Sequence, residues 1–261
     1  MVEMKLEKIN MTKTQEYVHA IYSRRAVFSN YFGQIFEEND EYFETNNTFV
    51  LAKPVRDFHR IYVASSDKKE LVEIMSNLKR TNVINFPTKG NIQDIEAIMV
   101  ESGYERIGIY DRFTYNVKDM TESDVTSKIE FAQACDGEII YNLYSSWKDF
   151  NPYTDWLPTY EELEEFIENK SVIINRRNDT ISGVNICPII GAIMNLRLII
   201  DVSGGGIKLM NAMFDTARDK GIKRCQWWVN SQNTRAVNFY KYLGAISDGL
   251  KDYTYIKRNL I

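Results

Sequence analysis

Residues 202–245, near the C-terminus of the 261-residue chain, constrain the fold more than any other stretch. Three consecutive glycines (204–206) open a pattern of apolar residues at helical spacing, which Gly221 ends. A short apolar strand is predicted at 225–229, and a second helix over 233–243. A glycine-rich entry to a helix presents unpaired backbone N–H groups at the positive end of the helix dipole. The stretch therefore predicts a site for a phosphate or pyrophosphate group.

The composition is that of a folded protein, with 44% hydrophobic and 13% aromatic residues. A net charge of −4 gives no indication of a nucleic-acid or acidic-membrane partner. No run approaches the ~20 apolar residues of a membrane span, and the N-terminus lacks the apolar segment of a signal peptide. The three cysteines are far apart and lack metal-ligand spacing, which is typical of reduced thiols. We expect a cytoplasmic monomer or homodimer without a metal.

An internal repeat is indicated by matching residues in the two halves of the chain. At an offset of 122 positions (144 − 22 = 122), the matched residues are Tyr22, Phe28 and Tyr31 with Tyr144, Phe150 and Tyr153. Later in each half, Gly103 corresponds to Gly244, at an offset of 141 (244 − 103 = 141). The growth of the offset implies an insertion in the second copy, although aromatic-rich sequence can also match by chance. We predict an α/β fold with two domains, 1–118 and 128–261.

Local patterns predict the elements of each copy. Hydrophobic periodicity favours helices over 14–36 and 137–147 and one uninterrupted strand over 192–200. Thr159, followed three residues later by Glu162, is the signature of a capping box at a helix start. Each copy is predicted to run strand, helices, antiparallel strands, helix, strand, helix, strand.

The second half resembles the GNAT superfamily of N-acetyltransferases. Between the fourth strand and the next helix, that family carries the acyl-CoA motif [QR]-x-x-G-x-[GA]. Here the motif reads D-V-S-G-G-G, so Gly204 and Gly206 match, whereas Asp201 stands at the Gln/Arg position. A second family motif is nearly complete, at Val229, Asn233, Ala236, Phe239, Tyr240, Lys241 and Gly244. The usual Phe after its glycine is Ala245 here.

The resemblance implies two tandem GNAT-like α/β lobes, each a mixed, mostly antiparallel sheet flanked by helices. The N-terminal lobe is degenerate, because the position of Tyr240 falls on Met99 and no glycine loop follows the strand at 60–64. The resemblance therefore implies that any active site lies in the second copy.

Acetyl-CoA is the co-substrate that the resemblance implies. Its pantetheine arm pairs in this family with the edge of the fourth strand, here 196–199, as an added strand would. The family's general acid, which donates to the thiolate, corresponds to Tyr240. The implied cofactor-binding residues are Leu196, Leu198, Gly204, Gly205, Gly206, Ile207, Asn233 and Tyr240.

Each of these residues also has a structural interpretation. Asn233 is suited to be a helix N-cap, with or without a cofactor contact. Tyr240 lies at helical spacing from Ala236 and Leu243, which also suits a core residue. The glycines could form only a flexible turn.

An aromatic cluster after the first helix of the second copy lies where this family receives its acceptor amine. Its members are Trp147, Phe150, Tyr153 and Trp156. Trp227 and Trp228 point to opposite faces of one strand, so one is expected in the core and the other is a candidate for the acceptor pocket. The acceptor-binding candidates are therefore Trp147, Tyr153 and Trp228. The acceptor would be a small-molecule or peptide amine.

Two functions of different class follow. The first is an N-acyltransferase that moves an acetyl or other small acyl group from acyl-CoA to a primary amine in a ternary complex. The second is a catalytically inactive relative that binds CoA or acts as an interaction scaffold, which Asp201 and the lack of an acidic residue over 192–200 favour. A longer acyl donor is a third possibility. The general base stays open between water, Glu138, Asp149 and none.

Overall fold

The computed structural model describes residues 5–119, 130–147 and 150–259. The helices are α1 Thr14–Ser23, α2 Lys68–Asn77, α3 Gln93–Glu101, α4 Gly137–Ser145, α5 Tyr160–Glu168, α6 Gly206–Asp219 and α7 Thr234–Tyr242. The strands are β1 Glu7–Lys8, β2 Phe28–Ser29, β3 Glu41–Glu44, β4 Thr48–Val55, β5 Phe58–Ser65, β6 Asn82–Thr88, β7 Glu105–Asn116, β8 Glu130–Phe131, β9 Val172–Arg177, β10 Thr180–Ile186, β11 Ile189–Ile190, β12 Ile193–Asn195, β13 Leu198–Asp201, β14 Arg224–Asn230 and β15 Ile246–Lys257.

The chain forms two compact units. The first comprises Met1–Tyr110 with Leu250–Ile261, and the second comprises Asp111–Gly249. These bounds differ from the sequence-based domains 1–118 and 128–261, because β7 and β15 each contribute residues to both units. The expected break near 118–127 falls almost entirely outside the described residues.

The first unit is built on a sheet in the order β1-β3-β4-β5-β6-β15, with β2 added to β5. β4 and β5 form an antiparallel hairpin, whereas β6 pairs in parallel with β5 over only three positions, from His59↔Asn82 to Ile61↔Ile84. β15 then pairs antiparallel with all seven residues of β6. The sheet is mixed and mostly antiparallel, as predicted.

Helix α2 packs its apolar face on this sheet. Leu71 and Met75, one helical turn apart, are buried in a core that includes Ile61 and Ile84. The helix begins where Asp67 accepts hydrogen bonds from the N–H groups of two first-turn residues. The predicted helix over 14–36 is wrong in extent, because α1 ends at Ser23 and residues 28–29 form β2.

The second unit contains two groups of strands. One is a four-stranded antiparallel sheet in the order β13-β10-β9-β8, and the other runs β7-β14-β12-β11. Helix α6 packs against the strands with Leu209, Met213 and Ala217, which recur at helical spacing and are buried in a core with Trp227. Helices α4 and α5 bury Ile140 and other apolar residues in a separate core.

Local signals place several of these elements. Thr159 caps α5, and its hydroxyl and the Glu162 carboxylate exchange hydrogen bonds with each other's N–H groups, as predicted. Asn178 and Asp179 both adopt positive φ, which suits the two-residue turn between β9 and β10. The prediction that α4 extends to Trp147 is wrong, because the helix ends at Ser145.

The ends of the two copies match in detail. Helices α3 and α7 are nine residues each, and both are followed by a glycine in the left-handed region, Gly103 at φ +81° and Gly244 at φ +84°. A twelve-residue strand then begins two positions later in each copy, β7 and β15. The repeat found in the sequence is therefore present in the backbone.

Candidate active site

In the second unit, the chain diverges from β14 after Leu196. β12 pairs in parallel with β14, and the Leu196 N–H extends that pairing to the Gln226 carbonyl at 3.0 Å. The Arg197 N–H instead donates to the Ile186 carbonyl at 2.8 Å, and β13 continues along β10. The predicted strand over 192–200 is thus interrupted. Among the described residues β13 is the edge of its sheet, and an edge strand presents unpaired backbone groups.

β13 offers backbone rather than side chains to a ligand. Leu196 and Leu198, both expected from the resemblance to hold pantetheine, have side chains buried in the core. The Val202 N–H donates across the pairing to Ser182 O at 3.0 Å. Backbone groups alternate between the two sides of an antiparallel strand, so Ile199 directs its own toward the open side.

The three glycines at 204–206 differ in what an added side chain would meet. Gly204 has φ +80°, which disfavours any side chain. A Cβ on Gly205 would lie 2.6 Å from Asn175 Nδ2. Gly206 is the first residue of α6, and a Cβ there would meet nothing closer than Phe239 Cζ at 3.8 Å. Of these three positions, a Cβ would clash with protein only at 205, whereas the space beside Gly204 and Gly206 is open.

Asp201 turns its carboxylate beneath this loop. Oδ2 accepts from the Gly206 N–H at 2.9 Å, and Oδ1 accepts from the Ser203 N–H at 3.1 Å and its hydroxyl at 3.0 Å. The side chain therefore fixes the loop and already uses one N–H group of the helix start. The first-turn N–H groups of Ile207 and Lys208 have no partner within the helix itself. The positive end of α6 is thus directed at the space outside the loop.

The residues beneath the loop were not found from the sequence. The Ser182 hydroxyl lies 3.2 Å from the Ser203 hydroxyl and donates to Asn175 O, while Asn175 Nδ2 donates to Ser182 at 3.3 Å. These residues come from the β9–β10 hairpin, and only the register of that hairpin brings them below the loop. No motif signals this contact.

Asn233 caps α7 as its structural interpretation predicts. Its Oδ1 accepts from the Ala236 N–H at 3.0 Å, while the residue itself is exposed. The cap uses only the oxygen of the amide, so Nδ2 is available to a ligand as a donor.

Tyr240 lies on the buried face of α7. Its ring centroid is 5.0 Å from that of Trp227, 6.1 Å from Phe113 and 5.5 Å from Phe239. Burial raises the pKa of the phenol to about 12. The hydroxyl therefore stays protonated at physiological pH, which a hydrogen-bond donor to a thiolate requires.

The acceptor-binding candidates lie at separate positions in the second unit. Trp147 is partly exposed just beyond α4, and Tyr153 lies in a turn closed by Asn151 Oδ1, which accepts from the Tyr153 N–H. Trp228 is 41% exposed, whereas Trp227 is 2% exposed, so the predicted division of the pair between surface and core holds. The Arg112 guanidinium lies 5.9 Å from the centre of the Trp228 ring.

A cation beside the open edge was also missed. The Arg197 guanidinium lies 5.8 Å from the centre of the Trp156 ring, and that ring packs edge-on against Phe166. A charged residue within the apolar run 192–200 was the available signal. Of the candidate bases, Glu138 is exposed in the first turn of α4, and Asp149 lies outside the described residues.

The described ranges hold no group of three or more His, Cys, Asp and Glu side chains placed to bind a metal. In the same ranges, every helix is too short or too polar to cross a membrane.

Comparison with known proteins identifies the fold. Residues 202–245 match the model of the acetyltransferase (GNAT) family. No curated protein matches the sequence. A GNAT-family acetyltransferase from Colwellia psychrerythraea is similar in structure at 12% identity, with a TM-score of 0.62, over 97% of this chain and 99% of that one.

Two further solved structures extend the comparison. A GCN5-related N-acetyltransferase from Sphaerobacter thermophilus is 12% identical, with a TM-score of 0.63, over 81% of this chain and 76% of that one. A tandem GNAT protein from the clavulanic acid biosynthesis pathway is 7% identical, with a TM-score of 0.61, over 98% and 99%. The chain therefore has a two-lobe GNAT fold, and the resemblance to this superfamily is confirmed.

Proposed function

We propose that the protein is a CoA-dependent N-acyltransferase that transfers an acetyl group to a primary amine. The observation that carries the proposal is the open edge of β13 leading directly into the glycine loop and the start of α6. Pantetheine would add to that edge as a strand, and the pyrophosphate would lie at the N–H groups of Ile207 and Lys208. Asn233 would donate its Nδ2 to the pantetheine arm.

The reaction needs a neutral amine that attacks the thioester carbonyl in a ternary complex. The new C–N bond forms, the C–S bond breaks, and the electron pair of that bond leaves on the CoA sulfur. Tyr240 would donate a proton or hydrogen bond to the departing thiolate, and the amine proton would pass to water. Most of the rate would come from holding the two substrates together.

The acceptor would enter on the side of the loop after α4, where Trp147, Tyr153 and the Arg197–Trp156 pair lie. Trp228, which lies beside Arg112 instead, would be a separate candidate contact for the acceptor. Aromatic side chains here would position the aliphatic part of an amine while excluding water from the thioester.

A second function has one observation in its favour. The Asp201 carboxylate already holds the Gly206 N–H and places negative charge under the pyrophosphate position. A site weakened in this way suits an inactive protein that binds CoA poorly or serves as a scaffold.

The first test is stabilisation by acetyl-CoA. A ligand that binds only the folded state stabilises it by about 2.7 kcal/mol at a hundred times its Kd, which raises Tm. Absence of any shift at millimolar acetyl-CoA would exclude the enzyme.

The second test separates catalysis from packing. Tyr240→Phe keeps the ring against Trp227, so Tm and acetyl-CoA Kd should be unchanged while kcat falls roughly 100-fold. Unchanged kcat would remove Tyr240 from the mechanism and leave it as a core residue.

A further inference from the structure

The strand that precedes the glycine loop in the second unit has a counterpart in the first unit, and the two strands differ in whether one edge is covered. In the second unit, no strand of the described residues pairs with β13 on the side away from β10. In the first unit, β5 occupies the corresponding place, between the hairpin partner β4 and the parallel strand β6. Residues 27–30 lie along β5 on the side opposite β4. Phe28 pairs with Ser65 and Ser29 with Ala64, beyond the point where β6 has stopped pairing.

Backbone hydrogen bonds at both ends hold this segment on the edge. The Val27 N–H donates to Ser65 O at 2.9 Å, and the Asn30 N–H donates to Val63 O at 3.1 Å. The Ser29 hydroxyl also donates to Val63 O, at 3.0 Å. The segment therefore uses the backbone groups that an added strand would use.

The Asn30 side chain fills the point where β5 and β6 diverge. It is 2% exposed, and its Nδ2 donates to Ile61 O on β5 and to Asn85 O on β6, both at 3.0 Å. Its Oδ1 accepts from the Val63 N–H at 2.6 Å. One amide thus satisfies backbone groups of both strands, in the gap that the splay leaves.

The helix start beside this edge is occupied as well. Oδ1 of Asp67 accepts from the N–H groups of Lys69, at 2.9 Å, and Glu70, at 3.2 Å. A built-in carboxylate therefore holds the donors to which a phosphate would bind at the N-terminus of α2.

The matching segment of the second copy folds differently. At the offset of 122, Phe28 corresponds to Phe150 and Asn30 to Pro152, which has no N–H to donate. Residues 151–155 close on themselves, because Asp155 Oδ2 accepts from the Asn151 N–H at 2.8 Å. The segment that covers β5 in the first unit forms a turn in the second.

We infer that residues 27–30 are an internal occupant of the acyl-CoA groove in the first unit, so that the chain binds a single CoA, in the second unit. The number of CoA molecules bound rests on the proposed function. The covering of the β5 edge by residues 27–30 does not. The edge of β5 in this lobe is covered by a strand of the same chain, and Asp67 rather than a glycine loop stands at the start of α2.

Hydrogen exchange of the full chain tests the covered edge without any ligand. The amides of Asn30 and Val63 should exchange slowly in the free protein, and 1 mM CoA should leave their rates unchanged. The amides of Ile199 and Ile207 should exchange fast and slow down with CoA. Fast exchange at Val63 in the free protein, or its protection by CoA, would overturn the inference.

Calorimetric titration with CoA tests the stoichiometry. One site per chain is expected, and Gly206→Val should remove it. A second site, or binding that survives in Gly206→Val, would refute the single-site inference. No binding at all, with slow exchange at Val63, would refute the proposed function and leave the internal strand established.

A matched variant tests whether the covered edge in the first unit and CoA binding in the second are independent. Asn30→Ala should speed exchange at Val63 and lower Tm, since it removes all three hydrogen bonds of the amide. The Kd for CoA should stay within twofold. A loss of CoA affinity as large as that of Gly206→Val would contradict the assignment of the groove.

Discussion

At the scale of single residues, Gly205 and Gly206 differ in whether the protein itself or only a ligand would exclude a side chain. Gly205 is packed against the protein, because a Cβ would lie 2.6 Å from Asn175 Nδ2 and would displace that side chain. Gly206 has no such neighbour, so only a ligand would exclude a side chain there.

Substitutions at these two glycines should have opposite effects. Gly206→Val should lower Tm less than a substitution at Gly205 does, because a Cβ at 206 would meet nothing closer than 3.8 Å, and should weaken CoA binding at least tenfold, or ~1.4 kcal/mol. Gly205→Ala should displace Asn175 and lower Tm. Thermal melts and calorimetric titration of both variants measure the two effects. If Gly206→Val binds CoA normally, the loop is not the pyrophosphate site.

Asp201 is the residue where this chain departs most clearly from the family motif. Asp201→Asn keeps one oxygen for the Gly206 N–H, loses the acceptor for the Ser203 N–H and removes the negative charge near the proposed pyrophosphate position. We expect the Kd of CoA to fall roughly tenfold, consistent with two charges a few ångströms apart near a surface. Acetyl-pantetheine, which has no pyrophosphate, is the control, and its Kd should not change. Equal or weaker CoA binding in the variant would show that the carboxylate does not oppose the cofactor.

At the scale of elements, α7 combines a cap and a proposed cofactor contact in one residue. Asn233→Ser keeps the N-cap, because serine caps as well as asparagine, but loses the amide donor. Tm should be unchanged, while the Kd of CoA rises about 3- to 10-fold, the range for one neutral hydrogen bond.

Asn233→Ala is the matched variant. It loses the cap too, so the free energy of unfolding should fall by about 1 kcal/mol in denaturant titrations. If both variants bind CoA as well as the parent, Asn233 is a cap and nothing more.

Elements were predictable from sequence where one local rule decides them. The α5 capping box and the stop at Gly221 each depend on neighbouring residues, and the structure has both. The break after Leu196 was not predictable, because the alternative partners, β14 and β10, lie elsewhere in the chain. The role of 27–30 was missed for the same reason, since the two-residue strand β2 has too few residues for a pattern of its own and is recognised only from its partner β5.

At the scale of the whole molecule, the two copies have the same order of elements at their ends, but the strand edge that is covered in the first copy is uncovered in the second. Sequence comparison identified the degenerate copy from what it lacks, a glycine loop and a tyrosine. The structure adds the Asn30 side chain, which fills the splay between β5 and β6, and it shows Asp67 as the cap at the start of α2. The hydrogen-bond partners of Asn30 are distant in the sequence, so a local motif cannot reveal them.

The stability of the whole chain should depend on pH through one buried histidine. His59 is 3% exposed, and Arg80 NH1 lies 2.9 Å from its Nε2, while its Nδ1 has no hydrogen-bond partner among the described residues. Burial, the cation of Arg80 and, more weakly, Lys8 lower the pKa of His59, against an opposing effect of Glu41. The neutral ring is therefore the form that the folded state favours.

The sign of the pH effect follows from that lowered pKa. Below about pH 6.5, the unfolded chain takes up a proton at His59 before the folded chain does, so stability is full above that pH and is lost as pH falls. His59→Gln stays neutral, so the drop in Tm from pH 7.5 to pH 5.5 should be smaller than in the parent. The chain has only one other histidine, the exposed His19, and His19→Gln should retain the full drop. Equal slopes for the parent and His59→Gln would show that other groups set the acid stability.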